Sequence, residues 1–142
     1  VYKRQEQCEK LRKKFSSEPG VVRPALCNTD RDKEFADQLV AVVEKIYSQY
    51  NISIDEFAQM MGMGRTVFYK KLRGVTGYSP NEYLRVVRMK KAAELFLTER
   101  NLTVAEVSYK VGINDPLYFS KCFKAQFGVS PSAYQKGERS KT

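Results

Sequence analysis

Histidine is missing from this chain of 142 residues, and with it the side chain that most often acts as a general base near neutral pH. The three cysteines, Cys8, Cys27 and Cys122, are odd in number and far apart, and no CxxC pair occurs. A structural zinc site takes about four nitrogen or sulfur ligands. Neither a metal nor another cofactor is therefore expected, and unpaired thiols fit a reduced, cytoplasmic setting. There is no glycine-rich phosphate loop and no nucleophile beside a base, so an enzyme has the least support of any reading. No apolar run approaches the roughly 20 residues that cross a bilayer. The first residues are charged rather than leader-like, and a start without Met reads as a cut from a longer protein. Sustained alternation of apolar and polar residues is also missing, which points to an all-α domain.

What is present is positive charge. Lys and Arg number 25 against 16 Asp and Glu, a net charge of +9, which favours a polyanion: nucleic acid or an anionic membrane surface. The apolar share of 42% is enough for a core in about one domain. Residues 1–33 stand apart. Val1 to Phe15 reads as a charged helix with sparse apolar positions at Tyr2, Cys8, Leu11 and Phe15. Residues 16–33 carry Ser16, Ser17, Pro19, Gly20, Pro24, Asn28, Thr29 and Asp30, a linker composition. This segment is either a solvated connector or a basic helix that joins the rest to an upstream signalling domain. Residues 34–137 form the folded unit, and 138–142 are expected to be a disordered tail.

Helical spacing begins at Phe35 and continues through Leu39, Val42, Val43, Ile46, Tyr47 and Tyr50. Capping boxes at Ser53–Glu56, Ser79–Glu82 and Thr103–Glu106 mark later helix starts, and Ser130-Pro131 marks another. The stretch from Ser53 to Tyr83 also repeats from Thr103 to Tyr134. The offset is 50 residues up to Gly62 and Gly112 and 51 from Phe68 and Phe119 onward, with one residue inserted in the second turn. Each copy reads as a short capped helix bearing Phe57 and Met61, or Val107 and Val111, with a small residue (Ala58, Ser108) where a second helix crosses. Gly62 or Gly112 ends that helix, and Met63 or Ile113 plugs the turn. The next helix starts at Gly64, or at Asp115 followed by Pro116, and is anchored inward by Phe68 and Leu72, or Phe119 and Phe123. Val67 is read as inward too. This is helix-turn-helix geometry, used twice. A helix from Pro80 to about Leu97 links the copies, with Tyr83, Val87, Met89, Ala93 and Phe96 apolar. For its Lys90 and Lys91, a solvated face and phosphate contact remain equally open.

The second copy, GINDPLYFSKCFKAQFGVSPSAY, closely resembles the signature region of AraC/XylS-type transcription regulators, and GMGRTVFYKKLRGVTGYSPNEYLR in the first copy is similar. The resemblance covers about 100 residues, from Phe35 to Lys136. It implies two homeodomain-like helix-turn-helix subdomains on a long linker helix, reading successive major-groove segments near one turn apart, about 34 Å. It further implies an activator of transcription that meets RNA polymerase, acting as a possible homodimer on DNA. The segment KLRKKFSSEPG resembles the stretch after the receiver domain of hybrid two-component regulators. The domain would then be the output of a signalling chain whose full length could be membrane-anchored, with no membrane contact by this part.

On the first recognition helix the outward residues are Arg65, Thr66, Tyr69 and Lys70, which match the family's base-contacting positions. Arg65 or Lys70 would pair with guanine, and Thr66 would meet a thymine methyl. On the second, Pro116, Leu117, Tyr118, Ser120 and Lys121 are outward, with Lys121 suited to guanine. Lys71, Arg73, Arg88 and Lys124 are assigned to phosphate. The second helix offers fewer hydrogen-bonding groups, so weaker and more permissive readout is expected from it. The alternative is a basic helical module for RNA or protein, but RNA readers display aromatics, and here Phe57, Phe68, Phe119, Phe123 and Phe127 fall on core stripes.

Overall fold

A computed structural model of the chain describes residues 30–137, and the regular structure among them is entirely helical. The charged helix expected over 1–15, most of the linker and the tail at 138–142 lie outside the described residues. The order is α1 (Asp30–Ile46), α2 (Ile54–Met60), α3 (Arg65–Thr76), α4 (Pro80–Thr98), α5 (Val104–Lys110), α6 (Pro116–Phe127) and α7 (Pro131–Gln135). None of these helices is long and apolar enough to cross a membrane.

Local chemistry sets the starts. Ser53 caps α2 with a complete box, its hydroxyl accepting from the Glu56 N–H while the Glu56 carboxylate accepts from the Ser53 N–H. At Ser79, Thr103 and Ser130 the cap hydroxyl accepts from the third helical N–H, and Pro80, Pro116 and Pro131 occupy first positions where no donor is needed. Helix α1 starts earlier than the sequence suggests. Residues 30–33, read with the linker, lie within this helix, with Asp30 and Asp32 in the first turn where the helix dipole favours acids. Asp32 also reaches Lys71 on α3, at 2.5 Å, which ties that turn to the core.

The two helix-turn-helix turns are built alike. Met63 donates to the Ala58 carbonyl and Gly62 to Gln59; fifty residues on, Ile113 donates to Ser108 and Gly112 to Tyr109. This paired pattern closes the helix end with a left-handed glycine, at φ 71° for Gly62 and 81° for Gly112. In the second copy the Ser108 hydroxyl donates to the Ile113 carbonyl as well, at 2.7 Å.

Two cores result, and α4 serves both. Tyr83, Leu84, Val86 and Val87 close the first core against α1, α2 and α3, where Phe57 and Phe68 meet edge to face at 4.7 Å. Met89, Ala92, Ala93 and Phe96 open the second core, in which the Phe96 and Phe123 rings stand at 90° and 5.5 Å. The change of core falls at Arg88. Lys90 is buried rather than on a solvated or phosphate-facing surface. Lys91 is also withdrawn, paired with Glu44 at 2.5 Å and lying over the Tyr47 ring.

Candidate nucleic-acid interface

Helices α3 and α6 follow the two tight turns, so each presents its first turn and one face away from its core. On α3, Phe68 and Leu72 are buried while Arg65, Thr66, Tyr69, Lys70 and Arg73 are exposed. Val67 is not inward, as its spacing suggests, but 61% exposed, so the outward strip is continuous from Arg65 to Val67. The repeat itself carries the missed signal: at an offset of 51, Val67 corresponds to Tyr118, a residue read as outward. On α6, Leu117 is 79% exposed, Tyr118, Lys121 and Lys124 are exposed, and Pro116 and Ser120 are half-buried.

Neither helix contains an acidic residue, and α3 carries Arg65, Lys70, Lys71 and Arg73. Arg65 lies 3.9 Å from Asp55, but both side chains are more than two-thirds exposed, so water screens the pair and the guanidinium is available. Lys71 is different. Its ammonium sits on Asp32 and 5.8 Å from the Phe35 ring centre, which fastens α1 to α3 instead of facing a phosphate. The repeat again gives the hint, because Lys71 corresponds to the half-buried Cys122.

Arg88 is likewise removed from the phosphate set. Its Nε donates to the Tyr47 carbonyl at 2.9 Å and an Nη to that of Gln49 at 2.7 Å. Burial pushes its pKa down and the nearby Tyr118 offsets this in part; the group stays charged. Neither motif nor spacing marks Arg85 for contact. It is exposed on α4 and lines, with Val86, Lys121, Cys122, Ala125 and Gln126, a groove of about 420 Å³ between α4 and α6. Gln126 donates across it to the Val86 carbonyl at 3.3 Å. No periodicity argument on α4 alone finds Arg85, because its significance comes from the crossing of α6.

The two helix starts differ electrostatically. Gly64 caps α3 without a side chain, leaving its first amides bare beside Arg65. Asp115 caps α6 by accepting from the Leu117 and Tyr118 N–H groups at 3.1 and 3.2 Å, which sets a negative charge where α3 has none. The groups brought to the outer face are thus Arg65, Thr66, Val67, Tyr69, Lys70 and Arg73 from one unit. Leu117, Tyr118, Lys121 and Lys124 come from the other, with Pro116 and Ser120 partly covered.

A family model described as a helix-turn-helix domain matches residues 57–137. Histidine kinase P4 of Formosa agariphila is 31% identical over 126 residues, which is 89% of this chain and 9% of that protein. The Msm operon regulatory protein of Streptococcus mutans is 42% identical over 93 residues, 64% of this chain and 33% of that one. The chain therefore spans less than a tenth to about a third of the length of these relatives. Among solved structures, the DNA-binding domain of the global transcriptional factor AdpA, in complex with a target DNA, superposes with a TM-score of 0.65 at 26% identity. That match covers 72% of this chain and 89% of that one.

Proposed function

This chain belongs to the AraC-type family of helix-turn-helix transcription regulators, and we propose that it reads double-stranded DNA with α3 and α6 in successive major-groove segments as the output of a signalling protein. The observation that carries the reading is the duplicated unit: two turns closed by the same pair of backbone hydrogen bonds, each followed by a helix that turns an acid-free face to solvent. Arg65, Thr66, Tyr69 and Lys70, joined by Val67, read bases from α3. Lys121, Tyr118 and Leu117 do so from α6, flanked by the half-covered Pro116 and Ser120, while Arg73 and Lys124 hold phosphate. Leu117 has so much apolar surface in water that a thymine methyl is its natural partner. The Asp115 cap supports weaker, more permissive readout by α6. Permuting the two half-elements of a bound site tests that: loss is expected to be larger at the α3 element, and equal loss would overturn it.

The resemblance of 89% of the chain to a histidine kinase supports an upstream sensor or receiver domain in the whole protein. Activation through RNA polymerase and pairing of two copies on DNA are parts of the same reading. The deciding experiment is anisotropy titration of a randomised duplex pool at two salt concentrations, with sequencing of the bound fraction. An enriched motif of two elements about one helical turn apart, with affinity falling steeply in salt, is expected. Binding to single-stranded RNA or anionic vesicles in preference to duplex DNA would overturn the reading.

A further inference from the structure

Helix α4 is not the only connection between the two units. The segment Tyr47–Gln49, which follows α1, is gripped from both sides. From α4, Arg88 donates to the carbonyls of Tyr47 and Gln49. From the second unit, Gly112 comes so close that a Cβ there would lie 2.5 Å from the Tyr47 oxygen and 2.9 Å from the Ser48 carbonyl carbon. The Tyr47 ring packs against both cores, under the Lys91 ammonium that Glu44 of α1 also holds. The equivalent glycine of the first unit, Gly62, has the same left-handed backbone and nothing within 4 Å of its notional Cβ. The close approach is thus a property of the joint and not of the turn.

We infer that Arg88 and Gly112 are positioning residues: by clamping Tyr47–Gln49 they fix the angle between α3 and α6, and so the spacing of the two DNA elements the chain accepts. The inference rests on the DNA-reading function proposed above. A single helix bridge resists bending and twisting at its midpoint through its own hydrogen bonds alone, whereas backbone contact at a second point, off the axis of α4, braces it against both. Rigid linkage then confines the high effective concentration of the second unit to one spacing. The joint also lies at the end of α1, the helix that leads in from the N-terminal side, so a displacement of α1 reaches both recognition helices at once.

Three substitutions separate this from ordinary stability. Gly112→Ala and Arg88→Met disturb the joint; Gly62→Ala imposes comparable backbone strain outside it. Thermal melting identifies the folded variants. Nitroxides on Arg73→Cys and Lys124→Cys, in the 142-residue chain with its three native cysteines replaced by serine, report the distance between the recognition helices without DNA. A narrow distribution is expected for the unaltered joint and for Gly62→Ala, and a broad one for Arg88→Met and Gly112→Ala. On duplexes whose two elements are moved apart stepwise, preference for the native spacing is expected to fall by about tenfold in the two joint variants. Gly62→Ala is expected to keep it. A folded Arg88→Met with unchanged distances, or with unchanged spacing preference, overturns the inference. An unaltered chain that bound no bipartite duplex would overturn the spacing role together with the reading it rests on, and the label distances would still separate that result from a loose joint.

Discussion

Replacing Arg65 or Lys70 with alanine removes a side chain that has both exposure and donors for a guanine edge. Each change is expected to cost about 1–3 kcal/mol of binding and to relax preference at one base pair, measured by anisotropy on single-base variants of the bound duplex. Lys124→Ala is expected to weaken all duplexes alike and to lower the salt slope by about one. Lys71→Ala is expected to leave that slope unchanged, because its ammonium is already committed to Asp32. Its effect appears instead in melting, and stays below about 1 kcal/mol since both partners keep some solvent contact. Tyr83 makes a prediction in pH. Burial, with Tyr78 adding to it, pushes its phenol well above the ordinary value. Below a pH of about 10 both folded and unfolded phenols are neutral and its contribution is complete; above it the unfolded phenol ionises and stability falls. Melting temperature is expected to drop in that alkaline range and to drop less in Tyr83→Phe. At this scale the sequence resolved what a side chain is and which way its helix turns it. Lys71 and Arg88 escaped because the groups that hold them come from 39 or more residues away, and Lys90 because its burial is set by how the helices pack around it.

Helix starts were legible because a cap is chemistry within four residues. Ser53, Ser79, Thr103, Asp115 and Ser130 all cap where the spacing placed them. Ser53→Ala is expected to cost about 1 kcal/mol, and Gly64→Ser to gain a few tenths, both by thermal or denaturant unfolding. The start of α1 was not legible, since Asn28, Thr29 and Asp30 are as good for a linker as for a helix entry. The fit of Asp32 to Lys71, across 39 residues, favours the helix. The exposed Val67 shows the limit of periodicity on a 12-residue helix: a valine one step from a buried phenylalanine fits the edge of the apolar stripe, and the repeat partner Tyr118 is the better guide.

Taken over the whole chain, a charge of +9 suggested a polyanion but not how many cations are free to meet it. Lys71, Arg88 and Lys91 are held by the protein's own acids and carbonyls, and Lys90 is buried. The slope of log affinity against log salt should follow the phosphates neutralised, about 0.9 for each, and not the net charge. The fold class and the double unit were readable because the repeat is written in glycines, prolines and aromatic anchors. The joint at Tyr47 was not, since nothing in residues 47–49 announces that another turn will come to rest on them.

Because one helix lends its first half to one core and its second half to the other, neither unit owns a complete set of walls. Phe96→Ala, on the second side, is expected to cost about 3–5 kcal/mol. The loss should not stay on that side. Amide exchange at Leu39 and Val43, deep in the first core, should quicken together with exchange at Phe119 and Phe123, in one cooperative transition. The duplicated halves would then persist or melt as a single folding unit, so that a chain with only one intact reader is hardly ever populated.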